Sequence, residues 1–254
     1  MTFRPAFYLK IGFQKAFKPI AKILNYGPNV DVFGTDILLQ NFFGTLLKIG
    51  FKPSHIVDIG AHKGDWTRNA FNFFPDSNFT LFEPQMNLAV MMSDLLKNDK
   101  IKLNPFGVGK KQGNFKFTIA SREDSCSFAY SESQAKSMGL KQVEIEVVTL
   151  NDFLPTTGLP IPDIIKIDAE GLDLEVLEGS SNFFGKTEIF MVEVAVACNS
   201  LNNTFLAVIN FMDKNGYKLF DVTDINRPFE IKILWLMELV FIRKNGIIDS
   251  KKFD

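Results

Sequence analysis

The sequence predicts an α/β fold, a mostly parallel sheet between two helical layers, with a helical extension before it and a β-hairpin inserted within it. Three observations carry this. The run Ile56-Val57-Asp58-Ile59-Gly60-Ala61-His62-Lys63-Gly64 reads as a buried strand that stops at a sharp turn and feeds a helix. Asn78-Phe79-Thr80-Leu81-Phe82-Glu83 and Asp163-Ile164-Ile165-Lys166-Ile167-Asp168 repeat the design, an apolar run ending in an acid. Strand and helix periodicities alternate from the first of these runs onward, the order of a parallel sheet with right-handed crossovers. With 254 residues, 46% of them hydrophobic, the chain can bury one large α/β core.

Taken in order, the first thirty or so residues have a one-sided charge: Arg4, Lys10, Lys15, Lys18 and Lys22 all precede the first acid, Asp31. Phe13, Phe17, Ile20 and Leu24 recur at helical spacing, and Pro19 kinks or divides any helix there. The lysines break up the apolar core that a signal peptide needs and are too many for a membrane span. The expectation is a helix docked on the domain; peripheral membrane contact through residues 1–24, or a partner protein, is the alternative. Residues 36–50 predict a second helix, with Ile37, Leu38, Phe42, Leu46 and Leu47 apolar and Gly50 as its stop. We therefore divide the chain into a helical extension, 1–49, and a main domain, 50–254.

After the glycine turn, Trp66, Ala70, Phe73 and Phe74 form a helix stripe closed by Pro75. Residues 88–96 predict a further helix and 101–103 a third strand. The rhythm then changes: Phe115, Phe117 and Ile119 alternate with polar residues, as do Val143, Ile145 and Val147, which predicts an inserted antiparallel pair. The polar stretch 121–139 between them reads as a loop, disordered or a substrate lid. The parallel rhythm resumes at 163–168, followed by a short helix stopped by Gly179, a strand over 188–194, a helix over 204–214, and two closing strands near 217–222 and 239–242.

The glycine turn narrows the ligand. Gly60 lets the backbone bend and approach a ligand, and Gly64 lets the helix start close against the strand. Dinucleotide folds use G-x-G-x-x-G, whose middle glycine seats a pyrophosphate on the helix N-terminus. Here the pattern is D-x-G-x-x-x-G, with Ala61 and His62 where that glycine would fall. A phosphate has a poor seat there, while the zwitterionic tail of S-adenosylmethionine fits. Glu83 stands where an acid accepts hydrogen bonds from both ribose hydroxyls, which supports a nucleoside without choosing one.

Lys166 and Asp168 share one face of their strand, opposite Ile165 and Ile167. Lys166 lies within an apolar run and needs an acid partner, with Asp58 on a neighbouring strand the candidate. Asp168 sits at the strand's carboxyl end, where ligands of open α/β sheets bind.

Composition excludes other chemistries. The net charge of −1 creates no field that would gather nucleic acid, and Cys126 and Cys198 lack the spacing of a zinc site or disulfide framework. A reducing cytoplasm is the default location. With His55 and His62 as the only histidines, mechanisms built on a histidine cluster are nearly excluded.

Asp58-Ile59-Gly60-Ala61-His62-Lys63-Gly64, Phe82-Glu83-Pro84, Phe106-Gly107-Val108-Gly109 with Gly113, and Lys166-Ile167-Asp168-Ala169-Glu170-Gly171 with Glu175-Val176-Leu177-Glu178-Gly179 together resemble the FkbM-type methyltransferases, in family order from about Gly50 to Ile242. The resemblance implies a class I, Rossmann-like methyltransferase fold with S-adenosylmethionine as donor and a hydroxyl, on a sugar, glycan or natural product, as acceptor. It assigns Asp58, Gly60, Ala61, His62, Gly64, Glu83 and Phe106 to the cofactor. His62 stands where the family pattern leads us to expect asparagine, which leaves it as a cofactor contact and not a catalyst.

Methyl transfer from a sulfonium is an in-line displacement, so positioning and water exclusion supply most of the catalysis and the acceptor hydroxyl must lose a proton. Asp168 is the first candidate for accepting that proton or orienting the acceptor, and Glu170 the second; the plain alternative for Glu170 is an acid favoured by a helix N-terminus. Asp168 and Glu193 could share a divalent cation, but two carboxylates are fewer than such a site needs, and no metal ligands are assigned. Two competing functions stay open at this stage: a nicotinamide-dependent oxidoreductase, which lacks its middle glycine and a proton donor here, and a non-catalytic, membrane-associated binding protein of the same fold. Oligomeric state is not legible in the sequence.

Overall fold

The computed structural model describes residues 37–119, 128, 130–169, 171–198, 201–228 and 230–251. The predicted N-terminal helix, residues 120–127 and 129 in and before the polar stretch, and Glu170 lie outside the described residues.

Strands β1 (His55–Ile59), β2 (Asn78–Phe82), β3 (Ile101–Asn104), β7 (Ile164–Ile167), β8 (Ile189–Ala195), β9 (Tyr217–Asn226) and β10 (Leu236–Arg243) form a seven-stranded sheet in the order β3-β2-β1-β7-β8-β10-β9. The pairs from β3 through β8 are parallel, and β10 runs antiparallel to both β8 and β9. Chain order reverses direction between β1 and β7, so the ends of these two central strands open a crevice at the carboxyl edge. The predicted hairpin is present as β5 (Gly113–Ile119) against β6 (Lys141–Val148), and the two-residue β4 (Gly107–Val108) joins it in a separate three-stranded sheet.

Side-chain alternation divides the core into two layers. Ile56, Ile164, Ile189 and Val240 face α1 (Ile37–Lys48) and α2 (Asp65–Phe73). Val57, Ile59, Ile165, Ile167, Val192 and Phe241 face α4 (Leu150–Phe153), α5 (Asp173–Glu178) and α6 (Phe205–Lys214), and α3 (Glu132–Ser137) lies beside the hairpin. Thus α1 contributes Leu39, Phe42, Phe43 and Leu46 to the core of the main domain. Phe43 is fully buried, with ring centroids of Trp66, Phe74 and Phe73 at 5.6, 5.5 and 5.7 Å, and the first two meet it edge-on. Truncating such a ring removes its burial and leaves a cavity. Phe43→Ala is expected to cost about 3–5 kcal/mol in a urea melt, and a change under about 1 kcal/mol would show that α1 does not belong to the cooperative core.

Two local expectations differ from the structure. The helix expected over 88–96 is a pair of 3₁₀ segments, Met86–Met92 and Leu95–Lys97. No side-chain cap starts the first of them, and Met92 and Leu95 fold inward onto Gly64. The loop expected through 139 contains α3, started by a capping box in which Ser131 accepts from Gln134 N–H and the Gln134 side chain accepts from Ser131 N–H.

Candidate active site

The carboxyl ends of β1, β2 and β7 converge on the glycine turn. Gly60 has φ 73° and His62 φ 49°, both left-handed, so the chain reverses within three residues of the strand's end. Gly60 N–H and Ala61 N–H both donate to the Phe82 carbonyl at 3.0 Å, which fastens the turn to β2. A Cβ on Gly60 would stand 1.9 Å from the Asp168 carbonyl oxygen, so glycine here permits the end of β7 to close against the turn. Gly64, at φ 82°, serves a different contact from the one its spacing suggested: its Cβ position is taken by Leu95 and Met92, both within 2.8 Å. The helix start therefore packs on the segment after β2.

Glu83 joins the two loops of the crevice. Its Oε2 accepts from His62 N–H at 2.8 Å and its Oε1 from Gln85 N–H at 2.7 Å. Burial pushes the carboxyl above its ordinary value, against those two donors, which pull it down. Each oxygen keeps a further lone pair for a hydroxyl. The imidazole Nε2 of His62 is buried with no partner among the described residues, a polar atom left unsatisfied beside Glu83.

Asp58 and Ala61 are behind the crevice. Ala61 is 4% exposed and packs in the core, so only its backbone can meet a ligand. Asp58 is fully buried, accepts from Thr67 Oγ1 at 2.5 Å and lies 3.5 Å from Lys166 Nζ, the pairing the sequence predicted. Its role is to hold Lys166 and α2. Phe106 stacks edge-on against Phe153, and Phe153 against Phe82, on the opposite face of the sheet from Asp58.

Lys166 is the hub. Its ammonium donates to the Gly60 carbonyl at 3.3 Å and to Asp168 Oδ2 at 3.1 Å. Burial alone would lower its pKa; Asp168, Asp58 and Glu238 outweigh that and raise it, so the site carries a fixed positive charge. Asp168 is a third exposed and is the acid of this group that faces solvent. Glu238 on β10 is 8% exposed, accepts from Thr223 Oγ1 at 2.5 Å and is pushed up to about 7 by burial, with Lys166 opposing.

Three features escaped the sequence. Glu238 lies inside β10, which starts three residues before the strand expected there. Asp173 and Asn203, both buried, meet across thirty residues of chain at 2.9 Å, a pairing without a local signal. Gly179 closes against Gly109, where an added Cβ would stand 2.2 Å from the Gly109 carbonyl oxygen. Among the described residues no three histidine, cysteine, aspartate or glutamate side chains gather as a metal's donors.

A seven-stranded sheet in this order, parallel but for β10, with a glycine turn after β1 and an acid after β2, is the class I methyltransferase fold. The chain belongs to the FkbM methyltransferase family: the Methyltransferase FkbM domain matches residues 58–219. That membership sets aside the nicotinamide oxidoreductase reading. Solved structures similar to the chain include a methyltransferase FkbM from Methylobacillus flagellatus KT, at 16% identity and a TM-score of 0.49, covering 74% of this chain and 43% of that one. A precorrin-6y C5,15-methyltransferase from Geobacter metallireducens GS-15 is similar at 13% identity and a TM-score of 0.44, covering 80% and 88%. A 1,6-didemethyltoxoflavin N1-methyltransferase from Burkholderia thailandensis, with bound S-adenosylhomocysteine, is similar at 9% identity and a TM-score of 0.43, covering 96% and 92%. No curated protein matches the sequence significantly. No helix among the described residues is long and apolar enough to cross a membrane.

Proposed function

We propose that the chain transfers the methyl group of S-adenosylmethionine to a hydroxyl oxygen of a small-molecule or glycan acceptor, a sugar or natural product. The observation that carries this reading is the crevice where the left-handed turn at Gly60 and His62 meets Glu83, in a member of a methyltransferase family. The residues fit the cofactor: His62 offers an unsatisfied ring nitrogen at the left-handed turn, and Glu83 keeps lone pairs for a ribose. We assign the amino-acid tail to the turn around Gly60 and His62 and the ribose to Glu83, with Gly64 and Asp58 shaping the turn from behind. Phe106, just after β3, is assigned to the rim of the nucleoside site.

When bound, S-adenosylmethionine supplies an electrophilic methyl on a sulfonium. The chain's own residues then have two tasks. Asp168 accepts a hydrogen bond from the acceptor hydroxyl and takes its proton as the oxygen commits to the methyl. Lys166, at 3.1 Å, holds the Asp168 side chain in place, which suits it to orient the hydroxyl first and receive the proton late. Glu170 remains the second candidate, in a position outside the described residues.

Asp168→Asn separates binding from chemistry, because the amide still accepts a hydrogen bond but takes no proton. We expect S-adenosylhomocysteine affinity within about threefold of wild type and label transfer from methyl-labelled S-adenosylmethionine to a panel of glycosides and hydroxylated natural products reduced about 10²–10⁴-fold. Full transfer by the variant would remove Asp168 from the mechanism.

A further inference from the structure

The loop after Asp168 is held between the glycine turn in front and two buried side chains behind. In front, Asp168 N–H donates to the Ile59 carbonyl at 3.2 Å, and the Asp168 carbonyl fills the space that a Cβ on Gly60 would occupy. Behind, Asp173 at the start of α5 accepts from Ala169 N–H at 2.9 Å through Oδ1 and from Gly171 N–H at 3.3 Å through Oδ2. Asn203, 2% exposed in the connection before α6, donates to Asp173 Oδ2 and to the Glu193 carbonyl, each at 2.9 Å. A single asparagine thus ties the loop that carries Asp168 to the end of β8, and its own Oδ1 is buried without a partner among the described residues.

We propose that Asp173 and Asn203 form a brace that fixes the Asp168 loop against the glycine turn, which makes both of them positioning residues for the cofactor crevice. The proposal rests on the reading of that crevice as an S-adenosylmethionine site. The chemistry requires a carboxylate at 173: three N–H donors converge on its two oxygens, and only an acceptor-only side chain can serve all three. Loss of one partner leaves a buried donor unsatisfied, and the loop can recover it only by moving. Since the loop's carbonyl packs on Gly60, that movement reaches the turn.

The brace also has a protonation state. Burial pushes the Asp173 carboxyl up to about 7, opposed by the Ala169 and Gly171 N–H groups and reinforced by the charge of Asp168. Asp168, itself paired with Lys166, is the charged group that bears on it from the end of β7; the connection before α6 supplies the neutral Asn203 amide, and β8 reaches it through the Glu193 carbonyl that Asn203 holds. Ionised, Asp173 accepts from all three donors. Protonated, one oxygen becomes a donor and a contact is lost.

The test is calorimetric titration of the full chain with S-adenosylhomocysteine at pH 8 and pH 6, for wild type, Asp173→Asn and Asn203→Ser, with melting temperatures recorded alongside. Wild-type affinity is expected to fall about five- to tenfold from pH 8 to pH 6, the worth of one hydrogen bond. Both variants are expected to bind about tenfold more weakly than wild type at pH 8, and Asp173→Asn to lose the pH dependence. Wild-type affinity retained by both folded variants overturns the brace. Should Asp173→Asn fail to fold, a wild-type affinity equal at the two pH values, with Asn203→Ser equal to wild type, overturns it as well. Absence of any binding by the wild type would instead overturn the cofactor assignment on which the brace rests.

Discussion

Gly60→Val is expected to abolish measurable S-adenosylhomocysteine binding, a loss of at least 100-fold, and to lower the melting temperature. Two costs act together. A β-branched residue at φ 73° pays about 1–2 kcal/mol for the left-handed conformation, and its Cβ would collide with the Asp168 carbonyl, which stands 1.9 Å from that position. The collision is between backbone and a new side chain at the ends of two central strands, so the turn must lift away from β7. Lifting it also pulls on the paired N–H groups that bind the Phe82 carbonyl. At about 2–4 °C per kcal/mol for a domain of this size, a melting temperature lower by roughly 5–15 °C is expected. Gly60→Ala should show the same losses in milder form. Wild-type binding by the valine variant would mean that the turn does not hold the cofactor.

Lys166→Met is expected to destabilise by about 3–5 kcal/mol, the cost of leaving a buried charge uncompensated. Asp58 is fully buried and Lys166 is its cation, so the variant strands one carboxylate in the core and removes the partner of Asp168. The sign of the pH dependence follows from Asp58, whose pKa is already raised because burial outweighs the pull of Lys166. Without the lysine it rises further. An acid with a raised folded pKa contributes stability below its unfolded pKa and loses it as pH rises through the folded one. The deficit of Lys166→Met should therefore grow from pH 5 to pH 8 in urea titrations. Adding Asp58→Asn should recover much of it, because the stranded charge is gone while Thr67 keeps an acceptor. A deficit independent of pH, or no recovery in the double variant, would show that Asp58 and Lys166 are not coupled.

Much of the frame was legible because it rests on period and chain order. An apolar run ending in an acid marks a buried parallel strand and its carboxyl end at once, which is why Asp58, Glu83 and Asp168 mark the carboxyl ends of β1, β2 and β7. The pairing of Lys166 with Asp58 was legible for a related reason: a lysine within an apolar run must have an anion, and strand alternation says on which face. What the sequence concealed is the long-range polar packing. Asp173 reads as an ordinary acid in a helix's first turn, and Asn203 as one of several asparagines in an uncharged stretch; only the fold brings them together. Glu238 is hidden differently, since an acid flanking an apolar run looks like the edge of a strand, whereas here it is buried and held by Thr223. Ala61 and Asp58 are motif residues whose side chains the fold buries, which their place in the motif did not reveal. Gly64 was assigned the right need for a missing Cβ but the wrong neighbour, because the 3₁₀ segment that covers it has no helical signature.

The central claim is that the crevice at Gly60, His62 and Glu83 is a site for S-adenosylmethionine, and calorimetric titration of the wild-type chain with S-adenosylhomocysteine and, separately, with nicotinamide dinucleotide tests it most directly. The account predicts saturable binding of S-adenosylhomocysteine with one site per chain, lost in Gly60→Val, and no binding of the dinucleotide. At about a hundred times its dissociation constant the ligand should also stabilise the fold by roughly 2.7 kcal/mol. Binding of the dinucleotide with no binding of S-adenosylhomocysteine would contradict the account.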